Sequence, residues 1–266
     1  MGWGDEIMVT GQARKLQETD PRRVAVRGRD GRARWHPAWR GNPRIATPAQ
    51  AAVEDVQWLT NGPGRRPYVD YARMAAEFAR VFPDRPFTTQ MRDARLPWRF
   101  TNWRAEPGEL HGRRGRPGTF VVVEPNLKPG ASPNKQWGWD RWQALVRGLD
   151  VPWVQLGPRG TKVLEGVRHV PTATFLDACA VLSSARAAVL PDGGLHHAAA
   201  ALGVPAVVIF GGRSSPANVG YDAHVNLFDD YDAESPCGQW IPCAHCVSAM
   251  AVFTPAMVSR HLEDLL

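Results

Sequence analysis

The feature that most constrains the fold is a regular alternation of strands and helices that begins near residue 118. Phe120–Val123 is a continuous apolar run, as expected of a strand buried on both faces. Further strands are predicted at Trp153–Leu156, Ala187–Leu190 and Ala206–Phe210. Three other segments have helical periodicity: Trp139–Leu149, Thr174–Ala185 and Leu195–Leu202. This alternation predicts βαβ units, a parallel sheet and hence a Rossmann-like domain.

The preceding part of the chain is less regular. Periodicity predicts a helix over residues 5–19, a strand at Val24–Val26 and a helix over Tyr68–Phe82. Residues 103–118 are rich in Gly, Pro and Arg, a composition typical of a linker.

We therefore predict an α/β protein of two Rossmann-like domains. Residues 1–117 form the first, which is short and atypical, and residues 118–266 form the second. A helix over 254–266 closes the second domain, because Thr254 and Pro255 are suited to its cap and first position.

The charge is divided unequally between these parts. Residues 1–117 carry 22 Lys+Arg and 13 Asp+Glu, a net +9, whereas residues 118–266 carry 10 and 13, a net −3. Apart from Lys15, every cation of the first part is an arginine, the side chain suited to forked contacts with phosphate. A GC-rich genome also favours arginine, but it does not explain the one-sided charge. The first part is therefore expected to meet an anionic partner.

The sequence contains no apolar run of about 18 residues, so it predicts no membrane-spanning helix. Its N-terminus lacks the basic and apolar regions of a signal peptide. We expect a cytoplasmic protein whose four cysteines are reduced, and peripheral contact with a membrane stays open.

Three loops that follow predicted strands carry small or charged residues. In an open parallel sheet such loops share the carboxyl edge, where glycines and helix N-termini bind phosphate. Each loop alone is equally explained as a tight turn or solvated surface, but three on one edge favour a ligand. The residues predicted to bind it are Lys135, Asp192, Gly193, Gly194, Leu195, His197, Gly211, Gly212 and Arg213.

The stretch from Asp192 to Pro205, with His197 in a helix of small residues, resembles the signature of glycosyltransferase family 9. That family contains the bacterial heptosyltransferases. Lys135-x-Trp137 is similar to the family's lysine segment, and Gly4-Asp5 before a helix is similar to its N-terminal Gly-Asp. Residues 20–115 do not share the resemblance.

The resemblance implies a GT-B fold, in which two Rossmann-like domains face a cleft and the second binds the donor. It implies an inverting, metal-independent transfer of a heptose or similar sugar from a nucleotide diphosphate, usually ADP, with no cofactor. Asp5 would be the general base, while Lys135 and His197 would contact phosphate. Asp192 would order the turn, and His196 would be packing or surface. One departure is Gly193, which replaces a Ser or Thr of the family.

The acceptor is less well defined. Arg27, Arg34 and Arg40 lie in a stretch with Trp35 and Trp39 and are the predicted acceptor-binding residues. They fit the anionic core of lipopolysaccharide or a nucleic acid, including a modified DNA base. The alternatives from other classes are a nucleic-acid-binding module with a degenerate Rossmann domain and a sugar-nucleotide epimerase.

The C-terminal region contains Cys237, Cys243 and Cys246, which also resemble a cysteine-bearing tail of the family. Thiolates are zinc ligands, but the spacing is not that of a standard zinc finger. A reduced, metal-free cluster is the expectation, with a metal site as its alternative. Cys179 is predicted to lie in the core.

Overall fold

The computed structural model describes residues 2–81, 83–84, 86–88, 99, 104–110, 118–231 and 234–266. Phe82, the last residue of the second predicted helix, and residues 103 and 111–117 of the predicted linker lie outside these residues. Among the described helices, none has the length and apolar character needed to cross a membrane.

The second part of the chain forms a parallel sheet of six strands. In chain order the strands are β3 (Val121–Val123), β4 (Trp153–Gly157), β5 (Arg168–Pro171), β6 (Ala187–Pro191), β7 (Ala206–Gly211) and β8 (His224–Phe228). Their spatial order is β5-β4-β3-β6-β7-β8, with Val122 paired to both Val154 and Ala188. This is the Rossmann order, in which the direction of winding reverses between β3 and β6. The predicted α/β fold class is confirmed.

Helices follow the strands of this sheet. They are α4 (Trp139–Gly148), α5 (Phe175–Leu182), α6 (Gly194–Leu202), α7 (Pro216–Val219), α8 (Ala244–Val252) and α9 (Pro255–Glu263). The cap expected for the last helix is present, since the Thr254 side chain accepts a hydrogen bond from the amide of Met257. α8 was not predicted, because its sequence has little amphipathic contrast.

The first part contains a smaller parallel pair of strands. Its elements are α1 (Trp3–Gln17), β1 (Val24–Arg27), α2 (Pro48–Ala51), β2 (Gln57–Thr60) and α3 (Tyr71–Val81). α3 begins three residues later than predicted, because the Asp70 carboxylate accepts a hydrogen bond from the amide of Arg73 and caps the helix there.

The hydrophobic core is continuous across both parts of the chain. Residues of α1, β1 and α3 share one buried cluster with residues of β6, α6 and β7. α1 packs directly against α6. Residues 104–110 differ from the linker prediction, because Ala105, Glu109 and Leu110 are buried and the Gly108 amide donates to the carbonyl of Ala201 in α6. That segment is therefore packed against the body of the protein.

Candidate functional site

A cavity of about 1020 Å³ lies at the carboxyl edge of the six-stranded sheet. Loops after β3, β4, β6 and β7 form one wall, and the first turn of α1 forms the opposite wall. The predicted site residues that line it are Asp5, Lys135, Asp192, Gly193, Gly194, Leu195, His197 and Arg213. Residues from the two ends of the chain thus share one ligand-sized space.

Lys135, whose side chain is 18% exposed, forms an ion pair with the buried Asp192 at the point where the sheet reverses its winding. The Lys135 ammonium lies 2.7 Å from a carboxylate oxygen of Asp192 and also donates to the Asp192 carbonyl. Burial lowers the pKa of Lys135, against the opposing effect of Asp192. Burial alone would raise the pKa of Asp192, but Lys135, His196 and Arg213 outweigh it and lower that pKa. Asp192 therefore holds a cation in place at the cavity.

The first turn of α6 is shaped by two histidines with different roles. His196 is fully buried: its Nδ1 accepts a hydrogen bond from the Gly193 amide, and its Nε2 lies 2.9 Å from the carbonyl of Val219. It caps α6, so of the two interpretations given above packing is the one observed. His197 lines the cavity, and its Nδ1 is 2.8 Å from the Tyr221 hydroxyl. Burial lowers the pKa of His197 far below the ordinary value, so its imidazole is neutral at pH 7.

Asp5 lies on the opposite wall, in the first turn of α1. Its Oδ1 accepts a hydrogen bond of 2.7 Å from the Tyr68 hydroxyl and lies 3.4 Å from the Arg66 guanidinium. Its Oδ2 accepts from the amide of Gly2. The carboxylate retains 18% exposure, so it is both oriented and open to the cavity.

The loop after β7 divides between the cavity and the core. Arg213 is buried, donates to the carbonyl of Gln239 and lies 4.7 Å from the Trp240 ring centre. Gly211 and Gly212 do not line the cavity. A Cβ on Gly211 would lie 2.7 Å from Met250 of α8, and Gly211 also has a positive φ of 61°. These glycines are explained by the close approach of α8.

The arginines predicted to bind the acceptor lie away from this cavity. Arg27 stacks on Trp58 at 4.4 Å. Arg34 donates to the buried carboxylate of Glu6, and Arg40 lies on the exposed surface. The structure does not bring these three side chains to the site.

The lining residues that were not anticipated from the sequence include Trp3, Arg66, Glu124 and Phe175. Trp3 of α1 stacks on Phe175 of α5 with 4.8 Å between ring centres, which joins the two walls. Glu124 follows β3 directly, a position that could have marked it as a candidate. Arg66 carries no comparable local signal, because its approach to Asp5 depends on the tertiary fold.

The cysteine tail forms a separate buried cluster. The side chains of Cys237, Cys243 and Cys246 lie together with that of His245. None of these four residues lines the cavity. The side chains of a second group, Asp192, His196 and His197, also lie close enough to one another to hold a metal ion. The Asp192 carboxylate, however, is already ion-paired with Lys135.

Comparison with known proteins finds similarity to the same family that the sequence motifs resemble. Residues 161–237 match the sequence model of glycosyltransferase family 9 (heptosyltransferase). Lipopolysaccharide heptosyltransferase 1 of Pseudomonas aeruginosa is 31% identical over 148 aligned residues, which cover 49% of this chain and 38% of that protein. The chain thus spans well under two thirds of this relative.

Two crystal structures match along the whole chain. The iron-containing dodecameric glycosyltransferase TibC of enterotoxigenic E. coli H10407 has a TM-score of 0.62 at 15% identity, covering 100% of this chain and 73% of TibC. A family 9 glycosyl transferase of Veillonella parvula DSM 2008 has a TM-score of 0.62 at 14% identity, and the match covers 100% of this chain and 94% of the Veillonella chain. At these identities the two structures define the fold alone.

The fold and the cavity define an α/β protein of the GT-B class. Its sequence is similar to that of the heptosyltransferases of glycosyltransferase family 9 over residues 161–237 and over the stretch aligned with the Pseudomonas relative.

Proposed function

We propose that this chain transfers a sugar from a nucleotide diphosphate donor to an anionic acceptor, and that the nucleotide of the donor is ADP. The observation that carries the proposal is the opposition of Asp5 to the Lys135–Asp192 pair across one cavity. The name of the Pseudomonas relative supports a heptose as the sugar and lipopolysaccharide as the acceptor class. Residues 118–266 would hold the donor, and residues 1–117 would hold the acceptor.

The donor phosphates would lie at the start of α6. The first amides of that helix and its dipole favour an anion, and the backbone at Gly193 is open enough for close approach, since a Cβ there would meet no atom nearer than 3.9 Å. The partly exposed Lys135 and the buried Arg213 supply positive charge at the cavity wall, where little water competes with it for a departing diphosphate. His197 would contribute a neutral imidazole to the same wall.

The reaction would be a single displacement with inversion. The acceptor hydroxyl oxygen forms a bond to the anomeric carbon while the bond from that carbon to the phosphate oxygen breaks. The hydroxyl proton passes to the Asp5 carboxylate, which acts as general base. The electron pair of the broken bond leaves with the nucleotide diphosphate, whose charge Lys135 and Arg213 offset. No step of this scheme uses a metal ion.

An anionic acceptor would meet Arg66 at the cavity, beside Asp5. The alternative acceptor, a nucleic acid, has less support because Arg27, Arg34 and Arg40 lie elsewhere. A nucleic-acid-binding module and an epimerase remain as outcomes of the test below.

The test is calorimetric binding of ADP, UDP, GDP and CDP to the full chain and to Lys135→Ala. We expect one diphosphate, ADP, to bind saturably. Removing the Lys135 cation should weaken that binding about tenfold or more, since charge-assisted contacts contribute about 1.5–3 kcal/mol. Lys15→Ala is the matched control, because Lys15 is exposed on α1 outside the cavity.

A third variant, Asp5→Asn, should retain ADP binding but lose transfer of heptose from ADP-heptose to a deacylated lipopolysaccharide core. Absence of binding by all four diphosphates would refute the proposal and favour the nucleic-acid module. Turnover of ADP-heptose into an isomer without any acceptor would favour the epimerase.

A further inference from the structure

We propose that Cys237, Cys243, His245 and Cys246 bind one zinc or iron ion in a closed structural site. The site is separate from the proposed reaction centre, and the argument for it does not depend on the transferase activity.

The side chains of these four residues already converge. Each contributes one ligand atom, and the four atoms all lie within 4.8 Å of one another. A tetrahedral ion bound to sulfur at about 2.3 Å places its ligand atoms about 3.7 Å apart, so only small shifts are needed. All four residues are buried, with exposures of 1%, 5%, 8% and 0% in chain order. Three thiols and one imidazole form a ligand set suited to zinc or iron.

The surroundings of His245 support its role as a ligand. Its Nδ1 lies 3.8 Å from the Cys246 sulfur and faces the cluster, whereas its Nε2 is 3.1 Å from the Ser235 hydroxyl. A metal-bound histidine generally has its other ring nitrogen in such a hydrogen bond, which fixes the orientation of the ring. The backbone amide of Cys243 is held in turn by the Asn134 side chain.

The cluster holds a loop that borders the cavity. Asn134, next to Lys135 in the chain, donates to the carbonyls of Gln239 and Ile241 within that loop. The amide of Cys237 donates to the carbonyl of Gly212 at the end of β7. Since Pro236 and Trp240 of the same loop line the cavity, the ion would stabilise one of its walls without touching the reacting groups.

Four protein ligands leave no open coordination position, which is the pattern of structural rather than catalytic zinc. The competing chemistry is a disulfide between Cys237 and Cys246, whose sulfur atoms lie 3.0 Å apart. A disulfide would use two of the four converging residues, whereas an ion uses all four.

The test measures metal content directly. The full chain, purified without an affinity tag and under reducing conditions from media supplied with zinc or with iron, is analysed by elemental mass spectrometry. We expect about one ion per chain. Cys243→Ser and His245→Ala should lower the metal content about tenfold or more. Cys179→Ser is the matched control, because Cys179 is an equally buried thiol in α5 far from the cluster in sequence.

Cobalt uptake by the wild-type chain keeps the test independent of variant folding. Metal-free protein, prepared with a chelator, should take up one Co²⁺ and develop the absorption of a tetrahedral thiolate complex. Its thermal midpoint should rise when zinc is restored. Failure of the wild type to bind any of the three metals would overturn the proposal. So would an intact mass lower by two hydrogens with no effect of chelator, which would identify the disulfide.

Discussion

Glu124 lies at the carboxyl end of β3, where its carboxyl group is almost fully buried. Its Oε1 accepts hydrogen bonds from the backbone amide and the side-chain amide of Asn126. Its Oε2 has no hydrogen-bond partner among the described residues. Burial raises the pKa of Glu124 to about 7, against an ordinary value of 4.5.

This pKa predicts a pH dependence of stability. Between pH 4.5 and about 7 the folded protein holds a proton that the unfolded chain releases, so the contribution of Glu124 to stability falls as the pH rises. Glu124→Gln removes this titrating group. Between pH 5 and pH 8 the wild type should therefore lose up to about 3 kcal/mol more of its free energy of unfolding than the variant does. Urea unfolding at the two pH values measures the difference.

Glu165→Gln is the matched control, because it makes the same substitution at an exposed carboxylate outside the cavity. Equal pH dependence in wild type and Glu124→Gln would contradict the raised pKa.

At the scale of elements, the central relation is the contact of two helix N-termini. α1 begins at Trp3 and α6 begins at Gly194, and both starts face the cavity. The contact is close because Gly4 has no side chain: a Cβ there would lie 2.6 Å from the His197 ring and 3.5 Å from the Gly194 Cα.

Gly4→Ala should therefore push α1 away from α6. The His197 ring cannot easily yield, because it is buried and bonded to Tyr221. We expect a loss of about 1–3 kcal/mol in the free energy of unfolding, together with weaker ADP binding. Gly2→Ala is the control. Its Cβ would be close to the end of the flexible Lys128 side chain and in ordinary contact, at 3.5 Å, with Asp5 Oδ2, so the substitution should cost less than about 0.5 kcal/mol. Equal effects of the two substitutions would refute the steric explanation.

The same scale shows what the sequence could and could not predict. The four buried strands were predictable because each consists of apolar residues, apart from Gln155 in β4 and the ends of the strands. β5 and β8 were not predicted, because polar residues interrupt their apolar sequence. These residues are Arg168 and His169 in β5, and His224 and Asn226 in β8. The loops of the proposed donor site were predictable, because each follows a predicted strand. The structural roles of Gly211 and Gly212 were not, because they depend on contact with α8, a helix whose sequence has no clear amphipathic pattern. Net charge predicted an anionic partner without locating it, so Arg66 was missed.

At the scale of the whole molecule, residues 104–110 join the two parts of the chain. The Glu109 carboxylate accepts hydrogen bonds from Thr10 and Arg14 of α1. One residue away, the Gly108 amide donates to Ala201 of α6. A segment tied to both helices couples their stabilities, so we expect one cooperative unfolding transition rather than two.

Glu109→Gln tests this coupling. Glu109 is 4% exposed, so loss of its charge leaves Arg14 without its buried partner and should cost about 1–3 kcal/mol. Glu106→Gln removes a second carboxylate from the same arginine, but one that is 57% exposed, and should cost less than about 1 kcal/mol. Urea unfolding followed by both tryptophan fluorescence and far-UV circular dichroism gives the two values. Coincident curves in all three proteins are expected, because α1 and α6 share one core. Separate transitions in the wild type would mean that the two parts of the chain unfold independently despite that contact.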